Sequence, residues 1–366
     1  MSFSCGFVGL PNVGKSTLFN ALSKGGAASA NFPFCTIEPN TGVVTVPDER
    51  LDVLAKMEKS VKIIPTSLKF IDIAGLVEGA SQGQGLGNQF LGHIRNVDAI
   101  AHVVRLFEDA DVVHVAGKID PLHDLDVILT ELMLADLEML EKRMVKARKL
   151  ARSNDPETKA ELDLMQKLIA DLAETRMPQV DRENMMEMER VHRLGLLTTM
   201  PAFICANCDE TAFRAFGESA NSAAMIEFGA KHNMEVVPVC AKLEEELSTL
   251  DPEEAEVFLE DLGVSENGLT RVIETSYRLL NYITFFTAGP KETRAWTVTA
   301  GTPAPQASGK IHTDMCRGFI RMEVVSYNDM CTCGSWNEAK AAGKLRIEGK
   351  EYVVQDGDVI HVRFSV

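Results

Sequence analysis

The sequence predicts an α/β protein: a doubly wound P-loop nucleotide-binding domain, interrupted by a helical hairpin and followed by a small α+β domain. Three observations carry this expectation. Gly9-Leu10-Pro11-Asn12-Val13-Gly14-Lys15-Ser16-Thr17 fits G-x-x-x-x-G-K-[ST], between a short apolar run and an amphipathic one. Apolar residues recur at intervals of three and four from Leu129 to Ala151. From Tyr282 onward the pattern changes to short strand-like runs. The expected boundaries are 1–121 together with 200–280 for the nucleotide domain, 122–199 for the hairpin, and 281–366 for the last block.

The glycine motif needs a strand before it and a helix after it, and residues 5–8 and 18–22 supply both patterns. Its backbone N–H groups, from Asn12 and Val13 through Gly14 to Thr17, are placed to cradle phosphate oxygens at a helix N-terminus. Lys15 reaches toward the β- and γ-phosphates, and the Ser16 hydroxyl suits Mg²⁺.

Composition limits the remaining classes. The chain has 366 residues, 45% hydrophobic and 25% charged, ordinary for a globular protein and long enough for two or three domains. No run approaches the ~18 apolar residues of a membrane span, and the N-terminus lacks a signal-peptide pattern. A cytoplasmic location is expected. The eight cysteines are scattered, mostly in apolar strands, as reduced thiols are. Cys205 and Cys208 have metal-ligand spacing but no second pair to complete a zinc site. A formal charge of −16 argues against a general nucleic-acid coat while leaving room for a local basic patch.

Taken in order, residues 42–46 and 67–73 read as strands, with a short helix near 49–57 between them. Residues 100–106 read as a buried strand. Leu129, Met133, Leu137, Leu140, Met144, Ala147 and Ala151 form one helical face. Asp155 and Pro156 suit the N-cap and first position of a second helix, with Leu162, Met165, Ile169 and Leu172 as its stripe. Two helices joined so closely make an antiparallel hairpin. Strands return at 202–205 and 236–240. In the last block a helix is expected near 315–324 and two strands within 350–366.

Three further elements suit a nucleotide switch. Thr36 is placed to ligate Mg²⁺ when a γ-phosphate is present, and Asp72, at a strand end, to hold the metal through water. Gly75 follows in Asp-x-x-Gly. On the base side, Asn207-Cys208-Asp209-Glu210 stands where GTP-specific proteins carry Asn-Lys-x-Asp. The lysine is missing and the last carboxylate is one methylene longer. Asn207 is expected at the adenine edge with Cys208 and Glu210 adjacent, and Cys240-Ala241-Lys242 flanks the base from the next strand.

Together with Asn31-Phe32-Pro33-Phe34-Cys35-Thr36-Ile37-Glu38-Pro39-Asn40 and Asp72-Ile73-Ala74-Gly75-Leu76-Val77, these motifs resemble the YchF family, a branch of the Obg-related P-loop NTPases, over nearly the whole chain. The resemblance implies an ATP-preferring hydrolase in a GTPase-type fold, with a coiled-coil hairpin and a C-terminal TGS domain of β-grasp shape. It also implies association with ribosomes and a role in translation or stress control. A nucleotide-gated binding module with incidental hydrolysis, and a GTP-using translation factor, remain as alternatives.

Leu76 occupies the place where Ras-type proteins orient water with glutamine, so turnover is expected to be slow. His114 is the expected catalytic group beside Lys15, with Gln82, Gln84 and His93 as substitutes. Asn12 is a candidate K⁺ contact, and Cys35 beside the metal threonine a candidate redox-sensitive thiol. Lys142, Arg143, Lys146, Arg148, Lys149 and Arg152 gather at the hairpin tip, which is expected to meet RNA of the large ribosomal subunit. A monomer is expected.

Overall fold

The structure is a computed structural model that describes residues 3–25, 40–73, 75, 86–109, 119–150, 156–181, 184–264 and 266–365. Its strands are β1 (Ser4–Val8), β2 (Thr41–Thr45), β3 (Lys62–Ile64), β4 (Ser67–Asp72), β5 (Ala99–Arg105), β6 (Ala202–Asn207) and β7 (Val236–Val239). The later strands are β8 (Tyr282–Thr287), β9 (Glu292–Thr299), β10 (Phe319–Ser326), β11 (Arg346–Glu348) and β12 (Asp358–Phe364). Every residue of β1 and β5 is buried, as strands covered on both faces must be. They lie at the centre of a sheet ordered β2-β4-β1-β5-β6-β7, parallel except for β2, which runs against β4. Helices Lys15–Gly25 and Gly268–Leu279 cover this sheet, with Leu18, Leu22, Val272 and Ile273 entering its core. All parallel strands point their C-terminal ends to one edge, where ligands bind in open α/β sheets.

The insertion begins with helix Pro121–Leu150 and returns in Pro156–Ala173. Leu129, Met133, Leu140 and Met144 are buried against Leu164, Met165, Leu168 and Leu172. Leu137 of the first helix and Leu162 and Ile169 of the second are only partly buried; Leu164 and Leu168 take buried places beside the expected Met165 and Leu172. A third helix, Met185–Leu194, adds Val191 and Leu194 to this core. Its Arg190 and Arg193 both bind Glu157 (2.6 and 2.8 Å), and these two guanidiniums hold that exposed carboxyl at about 2. Asp155 lies outside the described residues. Where the insertion returns toward β6, its first helix is tied to residues 197–198 by Asp136, which is fully buried and accepts from Leu197 N (3.0 Å), Thr198 N (2.8 Å) and Thr198 Oγ1 (2.8 Å).

The second sheet has the order β11-β10-β12-β8-β9-β3. The helix expected near 315–324 ends at Arg317; Phe319–Ser326 is strand β10, paired with β12 along its length. Phe319, Met322, Val324 and Val325 are its buried positions, and aromatic and β-branched residues favour an extended chain. Within 350–366 only β12 is a strand; the other, β11, lies earlier at Arg346–Glu348. The boundary drawn at 281 also misses a recruit from far upstream. Helix Glu49–Glu58 and β3 pack with the second sheet, β3 pairing in parallel with β9.

Asp136→Ala leaves two backbone N–H groups without their acceptor, each costing on the order of 1–3 kcal/mol when buried. A loss of about 2–4 kcal/mol in urea unfolding is expected, with Asp136→Asn losing less. A parent-like midpoint for the alanine variant would show that the insertion is not held this way.

Candidate nucleotide-binding site

The phosphate loop leaves β1 so close to β5 that a Cβ on Gly9 would stand 2.4 Å from Val103 O. Only glycine passes there. Asn12 then takes φ 63°, and Gly14 takes φ 95°, a left-handed turn that suits Asn and Gly. The helix from Lys15 starts directly after it. Asn12 and Ser16 are exposed, Thr17 is half-buried, and Val13 is buried as an anchor. Lys15 is buried, with its ammonium donating to Gly9 O (3.0 Å) and Leu10 O (2.7 Å). Burial pushes its pKa down to about 8, against the opposing pull of Asp72.

The end of β4 meets this loop. Ser16 Oγ donates to Asp72 Oδ2 at 2.8 Å. Asp72 Oδ1 is buried and has no hydrogen-bond partner among the described residues. Such an oxygen is costly unless a donor or a cation arrives. Gly75 lies against Pro11, where a Cβ would stand 3.1 Å from Pro11 N. The structure thus joins Lys15, Ser16, Asp72 and Gly75. Thr36, Cys35, Leu76, Gln82, Gln84 and His114 lie outside the described residues. His93 is exposed in the last turn of helix Leu86–Ile94.

On the base side, buried Asn207 donates from Nδ2 to Val13 O (2.9 Å) and accepts at Oδ1 from Ala241 N (3.0 Å). A Cβ on Gly14 would stand 2.1 Å from Asn207 Nδ2. Both ends of the amide are engaged inside the protein, which makes it a clasp between three loops, a role beyond the expected contact with the adenine edge. Cys208 is buried, its thiol donating to Val239 O (3.2 Å) and pushed up to about 12 by burial. Asp209 caps helix Glu210–Arg214 by accepting from Ala212 N (2.9 Å), and Glu210 pairs with Arg214. Cys240 precedes helix Ala241–Leu247; Cys240 and Ala241 are buried and Lys242 is exposed.

Two supporting groups escaped the sequence reading. Glu244 is buried and accepts from Gly268 N at 2.6 Å, tying the base side to the next helix; burial raises its carboxyl to about 7. Arg105, fully buried at the end of β5, donates from Nε to Phe107 O (3.1 Å), with its guanidinium 4.4 Å from the Phe107 ring centroid. A charged residue ending an apolar strand was the available signal for Arg105.

This edge, with a phosphate loop, a strand-end Asp-x-x-Gly and an Asn-led loop after β6, defines a P-loop nucleoside triphosphatase fold of the GTPase type. Comparisons agree. Residues 4–142 match a family described as "50S ribosome-binding GTPase", and residues 282–365 match the YchF-GTPase C-terminal family, described as a protein of unknown function. Relatives named "Ribosome-binding ATPase YchF" from Haemophilus influenzae and Bacillus subtilis are 53% and 50% identical, each matched over 100% of both chains. The solved structure of the Schizosaccharomyces pombe YchF GTPase is 39% identical, with a TM-score of 0.89, over 99% of this chain and 98% of that one. The chain belongs to the YchF family.

The Lys15 shift has a measurable consequence. Phosphate oxygens favour the ammonium form, so above pH 8 nucleotide binding must take up a proton. Triphosphate affinity should therefore fall as pH rises past about 8, by up to about tenfold per unit. Calorimetry at pH 9 in buffers of different ionisation enthalpy should report proton uptake. Flat affinity between pH 7 and 9 would contradict the depressed pKa.

Proposed function

We infer that the chain is a slow ATP-hydrolysing switch that binds the ribosome. The observation that carries the choice of base is the use of both carboxylates in the loop after β6. Asp209 is committed to a helix cap and Glu210 to Arg214. Each carboxylate already has one oxygen engaged and offers both to the guanine N1–H and N2 amino donors only by giving up that bond, whereas adenine presents no such pair. The base is placed between residues 207–210 and 240–242, with backbone groups beside Cys208 as its partners.

Ser16, Asp72 and Thr36 are the residues proposed to hold Mg²⁺, and the orphaned Asp72 oxygen beside a serine hydroxyl fits a hard cation with oxygen ligands. When bound, the ion supplies charge neutralisation across the phosphates. Lys15 exchanges its two loop carbonyls for phosphate oxygens, and the loop N–H groups orient them. Leu76 cannot polarise water, so intrinsic turnover is slow; His114 is the proposed group that acts on water, and Asn12 the proposed K⁺ contact. The chain is proposed to act as a cytoplasmic monomer. Among the described residues no helix is long and apolar enough to cross a membrane.

The relatives' names speak of ribosome binding. The proposed contact is the hairpin tip with large-subunit RNA; Arg152 and the side chain of Lys149 lie outside the described residues. Lys142 pairs with Glu138, and Arg143 with Glu161 at 3.1 Å. Lys146 and Arg148 are exposed charge on the described part of the helix.

Isothermal calorimetry should show ATP binding at least several-fold tighter than GTP, since a lost bidentate contact costs more than about 1 kcal/mol. Tighter GTP binding would overturn the base assignment. Reversing Lys146, Arg148 and Lys149 to Glu should weaken ribosome co-sedimentation and flatten its salt dependence without altering ATP affinity. Unchanged sedimentation across a salt series would exclude the tip.

A further inference from the structure

Residues 46–66 lie between β2 and β4 in sequence but leave the first sheet. Leu51 and Leu54 of helix Glu49–Glu58 enter the apolar core of Phe286, Ala295, Val325 and Met330. β3 is held in register by β9, with Lys62 opposite Glu292 and Ile64 opposite Arg294. Ser60 Oγ donates to Gly289 O at 2.8 Å. Arg50 bridges Asp48 of its own segment (2.8 Å) and Asp356 of the second unit (2.6 Å), and Asp356 also accepts from Thr284 N (2.9 Å). The segment is built into the second sheet while both its ends remain strands of the first.

One of those ends is short. Only Pro65 and Thr66 separate β3 from β4, and β4 finishes at Asp72 beside Ser16. At the joint, buried Thr66 accepts from Val46 N at 3.0 Å, and its hydroxyl bonds to that of Thr297 on β9. Thr297 Oγ1 lies 3.0 Å from the Tyr277 hydroxyl, which is also 2.8 Å from Thr284 Oγ1 on β8. Tyr277 belongs to helix Gly268–Leu279, anchored in the first core by Val272 and Ile273. Four hydroxyls thus join the segment, the second sheet and the nucleotide domain at one point.

We propose that residues 46–66 are a coupling strap through which nucleotide state at Asp72 sets the arrangement of the second sheet, with the Thr66–Thr297–Tyr277–Thr284 cluster as its joint. This rests on the nucleotide reading above. A phosphate and cation arriving at Asp72 must break or reshape the Ser16 hydrogen bond, displacing the end of β4. A strand resists compression along its length, so the displacement reaches Thr66. β3 cannot take it up by slipping, because one residue of slip turns every side chain to the opposite face. The remaining responses are rearrangement at the hydroxyl joint and movement of the second sheet with the strap, a discrete change of the kind that couples distant sites. Coupling of this kind is reciprocal: a partner that holds the second sheet alters nucleotide affinity by the same factor.

Hydrogen-exchange mass spectrometry on the full chain, without ribosomes, tests the strap directly. Saturating Mg²⁺–ADP is compared with the non-hydrolysable analogue Mg²⁺–AMP-PNP. In the parent, exchange across β3, β8 and β9 should differ between the two nucleotides by about fivefold or more. Tyr277→Phe keeps the ring and removes the hydroxyl; Arg50→Gln, at a half-exposed site, cuts the Asp356 bridge together with the Asp48 pair and the guanidinium's contact over the Phe286 ring. Both should retain the nucleotide response in the phosphate loop and β4 while the response in β8 and β9 falls below about twofold. A parent in which β4 responds and β8–β9 do not, or variants that respond as the parent does, would overturn the coupling. Absence of any response at the phosphate loop, with no binding by calorimetry, would overturn the nucleotide reading and the strap with it.

Discussion

The Asn207 amide joins segments that nothing in the chain's local chemistry brings together. Val13 is 194 residues away in sequence, and Ala241 belongs to the loop after the next strand. Parallel strands deliver all three loops to one edge, but the sheet alone leaves each loop free to settle independently. Two hydrogen bonds from one buried side chain remove that freedom. They also explain why Gly14 admits no side chain: its missing Cβ is the space the amide fills. Phosphate recognition and base recognition are therefore one rigid construction, and Glu244, buried against the Gly268 N–H, fixes the base side to the helix beneath.

The same edge carries groups that are poorly satisfied for a protein interior. Lys15 is an ammonium held by neutral carbonyls, depressed toward neutrality by burial. Asp72 keeps one oxygen buried without a partner among the described residues. Asp136, by contrast, is a buried carboxylate furnished with three donors. Leaving a cation under-paired and an anion under-coordinated within one site costs stability. The cost is recovered when a phosphate and a cation meet both needs together.

Legibility in the sequence followed the range of the interactions responsible. The phosphate loop was readable because its requirements are local: glycines for backbone clearance, lysine and serine at fixed offsets. β1, β5 and β6 were readable because strands covered on both faces are apolar at nearly every position. Spacing favours Leu162 and Ile169 for the inner face of the second helix, whereas Leu164 and Leu168 are the buried residues, in a core that also takes Val191 and Leu194 from a third helix. The spacing of Phe319, Met322 and Val324 does not separate helix from strand, and pairing with β12 decides for strand β10. The dual engagement of Asn207 left no trace in composition or spacing. The basic run at the hairpin tip looked uniform in sequence, yet Arg143 finds Glu161 across the helix pair.

The connection from β2 to β4 shows how deeply the two sheets depend on each other. Adjacent antiparallel strands need only about two residues to join them, and here the chain travels from 46 to 66 to do so. Closing the hairpin does not require this length; completing the second core does. Without Leu51 and Leu54, the core around Phe286, Val325 and Met330 would lose one wall, and without β3 the outer edge of β9 would be an unpaired strand edge. The block from 281 onward is thus not a self-sufficient domain appended to a nucleotide-binding one. One of its helices and its edge strand come from residues 46–66, which run on into the strand that ends at Asp72, so a single stretch of chain belongs to both the second core and the edge that carries the site.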